Sequence, residues 1–132
     1  MAASTLEFSN AFIVLDAKFN VVKSVKTAEA PYGISFDRSG DRLFVAAARG
    51  KVLQAFDTKT WTLIKDAPTG DRCWHFTFTP DGAKVLVACG RSNEIVVIDA
   101  KTLELVKKIT DAQLPWGIVT YPKALGSLDQ AE

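Results

Sequence analysis

Apolar residues in this chain fall in short runs, broken at regular intervals by Asp, Gly, Pro and Thr. The runs are rich in Val, Ile, Phe and Leu, and no segment carries a convincing helical period. That pattern predicts strands joined by tight turns. Shifting the chain by 42 residues aligns Pro31-Tyr32-Gly33-Ile34 with Cys73-Trp74-His75-Phe76 and with Pro115-Trp116-Gly117-Ile118. The same shift pairs Ser39-Gly40 with Asp81-Gly82, Leu43-Phe44-Val45-Ala46 with Val85-Leu86-Val87-Ala88, and Phe56-Asp57 with Ile98-Asp99. A register kept without a gap across a whole unit marks a structural repeat.

Each unit reads as four strands, A to D. Strand A covers 33–37 or 74–79 and ends in Asp-Arg-Ser-Gly or Thr-Pro-Asp-Gly, where Pro presets φ and Gly takes a positive φ. Strand B covers 42–47 or 84–89, strand C 52–56 or 94–98, and strand D 62–65 or 104–109. Between C and D lies Asp57-Thr58-Lys59-Thr60 or Asp99-Ala100-Lys101-Thr102, in which the Asp side chain can accept from the backbone two residues on. Before the first full unit, Phe12 to Asp16 matches strand C, Val21 to Val25 matches strand D, and Thr5 to Phe8 matches the end of a strand B. The expected organisation is an incomplete blade B-C-D over 1–30, full blades over 31–72 and 73–114, a lone strand A over 115–122, and a polar tail over 123–132, twelve strands in all.

Composition narrows the classes. The chain has 132 residues, 48% hydrophobic and 23% charged, with a net charge of +1. That balance gives no overall pull toward nucleic acid or a membrane surface. The longest apolar runs, such as 12–15 and 95–98, are strand-sized and too short to span a bilayer. The first residues lack a basic stretch followed by an apolar one, so no secretory signal is visible. Cys73, Cys89 and a single His do not make a metal pattern. The two cysteines flank one hairpin near the same end, where a disulfide fits. They are read here as reduced thiols acting as small core hydrophobes.

The strand and turn motifs resemble the YVTN family of β-propeller repeats. The residues that carry the resemblance are Pro31-Tyr32-Gly33-Ile34, Thr79-Pro80-Asp81-Gly82, Leu43-Phe44-Val45-Ala46-Ala47 and Ile98-Asp99-Ala100-Lys101-Thr102, within about residues 10 to 122. The resemblance implies an all-β propeller. It also implies similarity to the propellers that hold haem d1, and a family often periplasmic or cell-surface. The localisation of this chain stays open.

Three blades do not close a ring, since propellers use about 4–8. The phase of the repeat suggests how closure occurs: a spare strand A can complete a blade that lacks one. Two copies would then share strands in a homodimeric six-bladed ring. A piece of a longer propeller is the competing account.

Candidate chemistry gathers on the face of the D–A and B–C loops. Arg49 and Arg91 occupy equivalent repeat positions, and Arg72 joins them, an arrangement suited to a small anion. The alternative is solvated loop charge. His75 stands where the sister repeats carry Gly33 and Gly117, beside Trp74. As a titratable imidazole it suits a ligand at the channel mouth or, from the resemblance, a haem. The alternative is a hydrogen-bonded packing histidine. Tyr32, Trp74 and Trp116 share one repeat position and read as packing between blades. Asp16, Asp57 and Asp99 read as turn formers. No nucleophile triad, phosphate loop, nucleic-acid motif or haem-attachment motif is present. The expectation is therefore a non-enzymatic binding or scaffold module without a cofactor. The alternative is part of a haem d1-type or other redox or hydrolytic propeller.

Overall fold

Eleven antiparallel strands alternate with Asp- and Gly-bearing turns through a computed structural model that describes residues 1–122. They are β1 (Ala2–Leu6), β2 (Ala11–Leu15), β3 (Val21–Lys26), β4 (Pro31–Phe36), β5 (Arg42–Ala47), β6 (Val52–Asp57), β7 (Leu63–Pro68), β8 (Cys73–Phe78), β9 (Lys84–Cys89), β10 (Glu94–Asp99) and β11 (Leu105–Ile109). They form three sheets in simple meander order: β1-β2-β3, β4-β5-β6-β7 and β8-β9-β10-β11. These are three blades of a β-propeller, the first with three strands. The expected tail over 123–132 lies outside the described residues.

The turns explain why the strands end where they do. The carboxylate of Asp57 accepts from the amides of Lys59 and Thr60, at 2.7 and 2.9 Å. Asp99 repeats this with Lys101 and Thr102, and Asp16 does so with Lys18 and Asn20. Gly40 and Gly82, in the A–B turns, take φ of +77° and +72°. Nine other residues adopt positive φ without being Gly. All nine fall on three recurring positions, one set per blade. Asn10, Lys51 and Asn93 enter strand C; Phe19, Trp61 and Leu103 close the C–D turn; Ala30, Arg72 and Leu114 precede strand A. Each such residue costs about 1–2 kcal/mol against its preferred backbone region. The surrounding ladder must hold each of them.

Blades stack through their apolar faces. Phe12 and Val14 of the first meet Leu43, Val45 and Phe56 of the second, with Trp61 at the rim. Phe44, Ala46, Leu53, Ala55 and Ala67 of the second meet Phe76, Phe78, Val85, Val87, Val96, Ile98 and Leu103 of the third. Phe44 and Phe78 cross edge to face with centroids 5.1 Å apart, and burial of each such ring contributes about 1.5–3 kcal/mol. Strand alternation gives every inner blade two apolar faces, so one sheet serves two interfaces.

Two expectations are corrected. Cys73 and Cys89 are joined in a disulfide, not held as separate thiols. The repeat makes this intelligible: Cys73 and Cys89 take the positions of Pro31 and Ala47, which face each other across β4 and β5. The cysteines are likewise direct partners across β8 and β9. The twelfth strand does not form as a ladder strand. Residues 115–120 run beside β8 and touch it through a ring stack and two hydrogen bonds instead.

Candidate functional site

The D–A and B–C connections form one layer of loops at the starts of the innermost strands, tied by backbone bonds. The amide of Arg72 donates to the carbonyl of Ala48, next to Arg49, at 3.2 Å. The amide of Gly90 donates to Arg72, and that of Arg91 donates to Asp71. The loops that carry the three arginines are therefore bonded to one another through their backbones. Their side chains differ. Arg49 approaches Glu29 at 3.8 Å, both about half exposed, a pair that holds little energy in water. Arg91 is exposed.

Tyr32 gives this layer its polar link. Its hydroxyl donates to the carboxylate of Glu7, on the 3-10 turn Glu7–Ser9 of the first blade, at 2.6 Å. The bond to Glu7 raises the phenol above its ordinary value, burial adds to this, and the positive charges of Arg72 and Arg49 oppose it. Asn10 Oδ1 accepts from Ala30, and Asn93 Oδ1 accepts from Leu114, the same contact two repeats apart. Sequence reasoning passed over Glu7, Glu29 and both asparagines, since each acquires its role only when a loop from the next blade reaches it.

Trp74 stands at the Tyr32 position but makes a different contact: its ring stacks on Trp116, centroids 4.1 Å apart and planes 27° from parallel. A Cβ at Gly90 would sit 2.2 Å from the Trp74 ring. Gly90 occupies the place of Ala48 one repeat on, and its missing side chain was the signal in the sequence that this ring lies over the B–C turn. His75 is exposed, and its Nδ1 accepts the Ile118 amide at 3.3 Å. Thr120 Oγ1 donates to the Phe78 carbonyl at 2.8 Å. At Gly33, by contrast, an added Cβ would meet the Trp74 carbonyl at 2.9 Å. At the equivalent place in β8 the His75 side chain is exposed and reaches the Ile118 amide.

The arrangement can present guanidinium and indole surfaces to an anion or planar group. Among the described residues no group of three His, Cys, Asp or Glu is placed to hold a metal ion. His75 Nδ1 is engaged by the Ile118 amide, and the neighbouring Trp74 ring stacks on Trp116.

No protein-family model matches the chain, and no curated protein matches it in sequence. Solved structures do match it in shape. Hydrazine synthase from Kuenenia stuttgartiensis superposes with a TM-score of 0.79 and 25% identity, covering 84% of this chain and 33% of that one. A dihydro-haem d1 dehydrogenase, NirN, determined in complex with DHE, superposes with a TM-score of 0.69 and 20% identity, covering 82% of this chain and 24% of that one. This chain thus spans a third or less of the lengths of the structures it resembles, and the likeness establishes the β-propeller fold.

Proposed function

We propose that this chain is a non-enzymatic binding or scaffold module of the YVTN type, which completes its propeller with a second copy by strand sharing. The observation that carries the reading is the position of residues 115–120. They lie against β8 on the side where a following blade would place its innermost strand, and they carry the same Trp-Gly-Ile register as the start of a strand A. The first blade lacks an inner strand: β1 is its edge, with β2 on one side only. A strand 115–120 from one copy, set beside β1 of the other, closes both gaps by a two-fold operation and yields six blades. The apolar outer face of the third blade, with Leu86 and Ile95 only half-buried and Ile109 exposed, would be covered in the same step. The loop layer with Arg49, Arg72, Arg91, Trp74 and His75 would then line one mouth of the channel and take a small anionic ligand. This reading requires no cofactor, nucleic acid or membrane.

Light scattering on the eluting protein tests it. The expected mass is twice 14.4 kDa, and Trp116→Ala, which removes the stack that seats the segment, should shift the population to monomer. A monomer of unchanged thermal stability in the parent chain would overturn self-assembly and favour a ring completed by further blades of a longer polypeptide.

A further inference from the structure

Between the outer strands of the second and third blades lies a groove of about 300 Å³, lined by Ala67, Pro68, Thr69, Ile98, Leu103 and Leu105 with Lys65, Glu104 and Lys108 at its rim. The 42-residue repeat supplies its own control, because the first and second blades meet through the equivalent positions. There Val25 stands for Ala67, Phe56 for Ile98 and Trp61 for Leu103. Each residue of the first interface is the larger, and Trp61 packs over Phe12, with ring centroids 6.0 Å apart. In the second interface the three smaller side chains leave the space open.

The polar residues differ in the same sense. Thr27 donates its hydroxyl to the carbonyl of Ala28 at 2.8 Å. Its counterpart Thr69 has a buried hydroxyl with no hydrogen-bond partner, and such a group is costly unless something supplies an acceptor. Lys108 replaces Asp66 one repeat earlier, so two lysines face the second groove across its width. Lys65 pairs with Glu104, whose side chain is 70% exposed, and Lys108 lies 3.6 Å from Glu94. A surface pair such as Lys65–Glu104 yields readily to a competing carboxylate.

We propose that this groove binds a small aryl carboxylate. Its ring takes the space that the Trp61 indole fills in the sister interface. Its carboxylate accepts from the Thr69 hydroxyl and the Lys65 and Lys108 ammonium groups. The volume is at the small end of ligand pockets, enough for one fused ring system with a short acidic arm. The groove lies within one chain at the outer rim, away from the loop layer, so it does not depend on ring closure.

The test is titration of the full chain with indole-3-acetate, followed by amide shifts and calorimetry. Saturable binding is expected, with shifts concentrated on β7 and β11. Leu103→Trp, which restores the residue of the sister repeat at the same left-handed backbone position, should weaken binding by about tenfold or more while the melting temperature holds. Thr69→Val and Lys65→Met should each weaken it severalfold, and they decide the matter should Leu103→Trp fail to fold. 3-Methylindole, with the ring but no carboxylate, should bind about tenfold more weakly than indole-3-acetate. Absence of saturable binding, equal affinity for the two compounds, or affinity unchanged in the folded variants would overturn the proposal.

Discussion

The two blade–blade interfaces share a backbone plan but differ in chemistry. The first is fixed by polar bridges as much as by its core. Gln54, buried, accepts from the Ala28 amide at 2.7 Å and donates to Asp66 at 2.9 Å, Tyr32 reaches Glu7, and Thr5 donates to the Tyr32 carbonyl. The second interface carries Val96 where the first has Gln54, gathers the larger apolar cluster, and belongs to a blade whose two inner strands are joined by the Cys73–Cys89 disulfide. Equivalent positions in a repeat are therefore equivalent in direction and burial. They are not equivalent in the kind of interaction they make. The polar bonds of the second interface come instead from long cations at its turns and rim: Arg42 donates to the carbonyls of Ala100 and Lys101, and Lys65 to the Thr102 carbonyl and Glu104.

The largest effect that could break this comparison comes from the aromatic centres. Phe44→Ala, at the middle of the second interface, should cost about 3–5 kcal/mol and lower the denaturant midpoint of the whole chain. Phe12→Ala removes a ring of the same kind, but the polar bridges remain. Hydrogen exchange should then show protection lost in β1 to β3 first, with β4 to β11 still closed. Uniform loss in both variants would mean that the two interfaces form one cooperative unit and that the contrast has no energetic content.

Next in size is the disulfide. Cys73 and Cys89 are 16 residues apart, and a closed loop of that length constrains the unfolded chain by about 3 kcal/mol. Replacing both with Ala should lower unfolding free energy by that order in a denaturant titration, with the loss centred on β8 and β9. A loss much below 1 kcal/mol would mean that neither the bond nor the packing of the two sulfurs holds the third blade.

The smallest effect sharpens the comparison by being the same in every blade. Backbone amides of Asn20, Thr60 and Thr102 hold the carboxyls of Asp16, Asp57 and Asp99 below their ordinary value of 3.8. A group whose folded value is depressed adds stability that is full above the unfolded value and is lost as pH falls through the folded one. Stability should therefore be flat from neutral pH down toward about 4 and decline below it. Changing the three to Asn should flatten that acid limb in equal steps, one per blade, as read by thermal melts from pH 2 to 7.

Most of the scaffold was legible in the residues. Alternation placed the strands, and Asp57 and Asp99 with Gly40 and Gly82 placed the turns. The shift of 42 placed the blades, because each of these signals is local and repeats. The pairing of Cys73 with Cys89 needed the strand register. The bond from Tyr32 to Glu7 needed the neighbouring blade. The role of His75 needed residues 115–120 to be in position beside β8. Leu103 was visible as a departure from Trp61, but a smaller residue means an open groove only once the facing Ala67 and Ile98 are known to be smaller too. Ala30, Arg72 and Leu114 carried no signal at all, since none is a residue type that favours the left-handed region.

Those left-handed positions bear on how such a protein can grow. The corners of the blade are set at places in the unit and not by particular residue types: a methyl, a guanidinium and a leucine all occupy the corner before strand A. A stretch of gene copied in multiples of the unit would carry its corners with it, whatever side chains later drift onto them. Adding blades needs only duplication, and new side chains can accumulate at corner residues without unbending the blade.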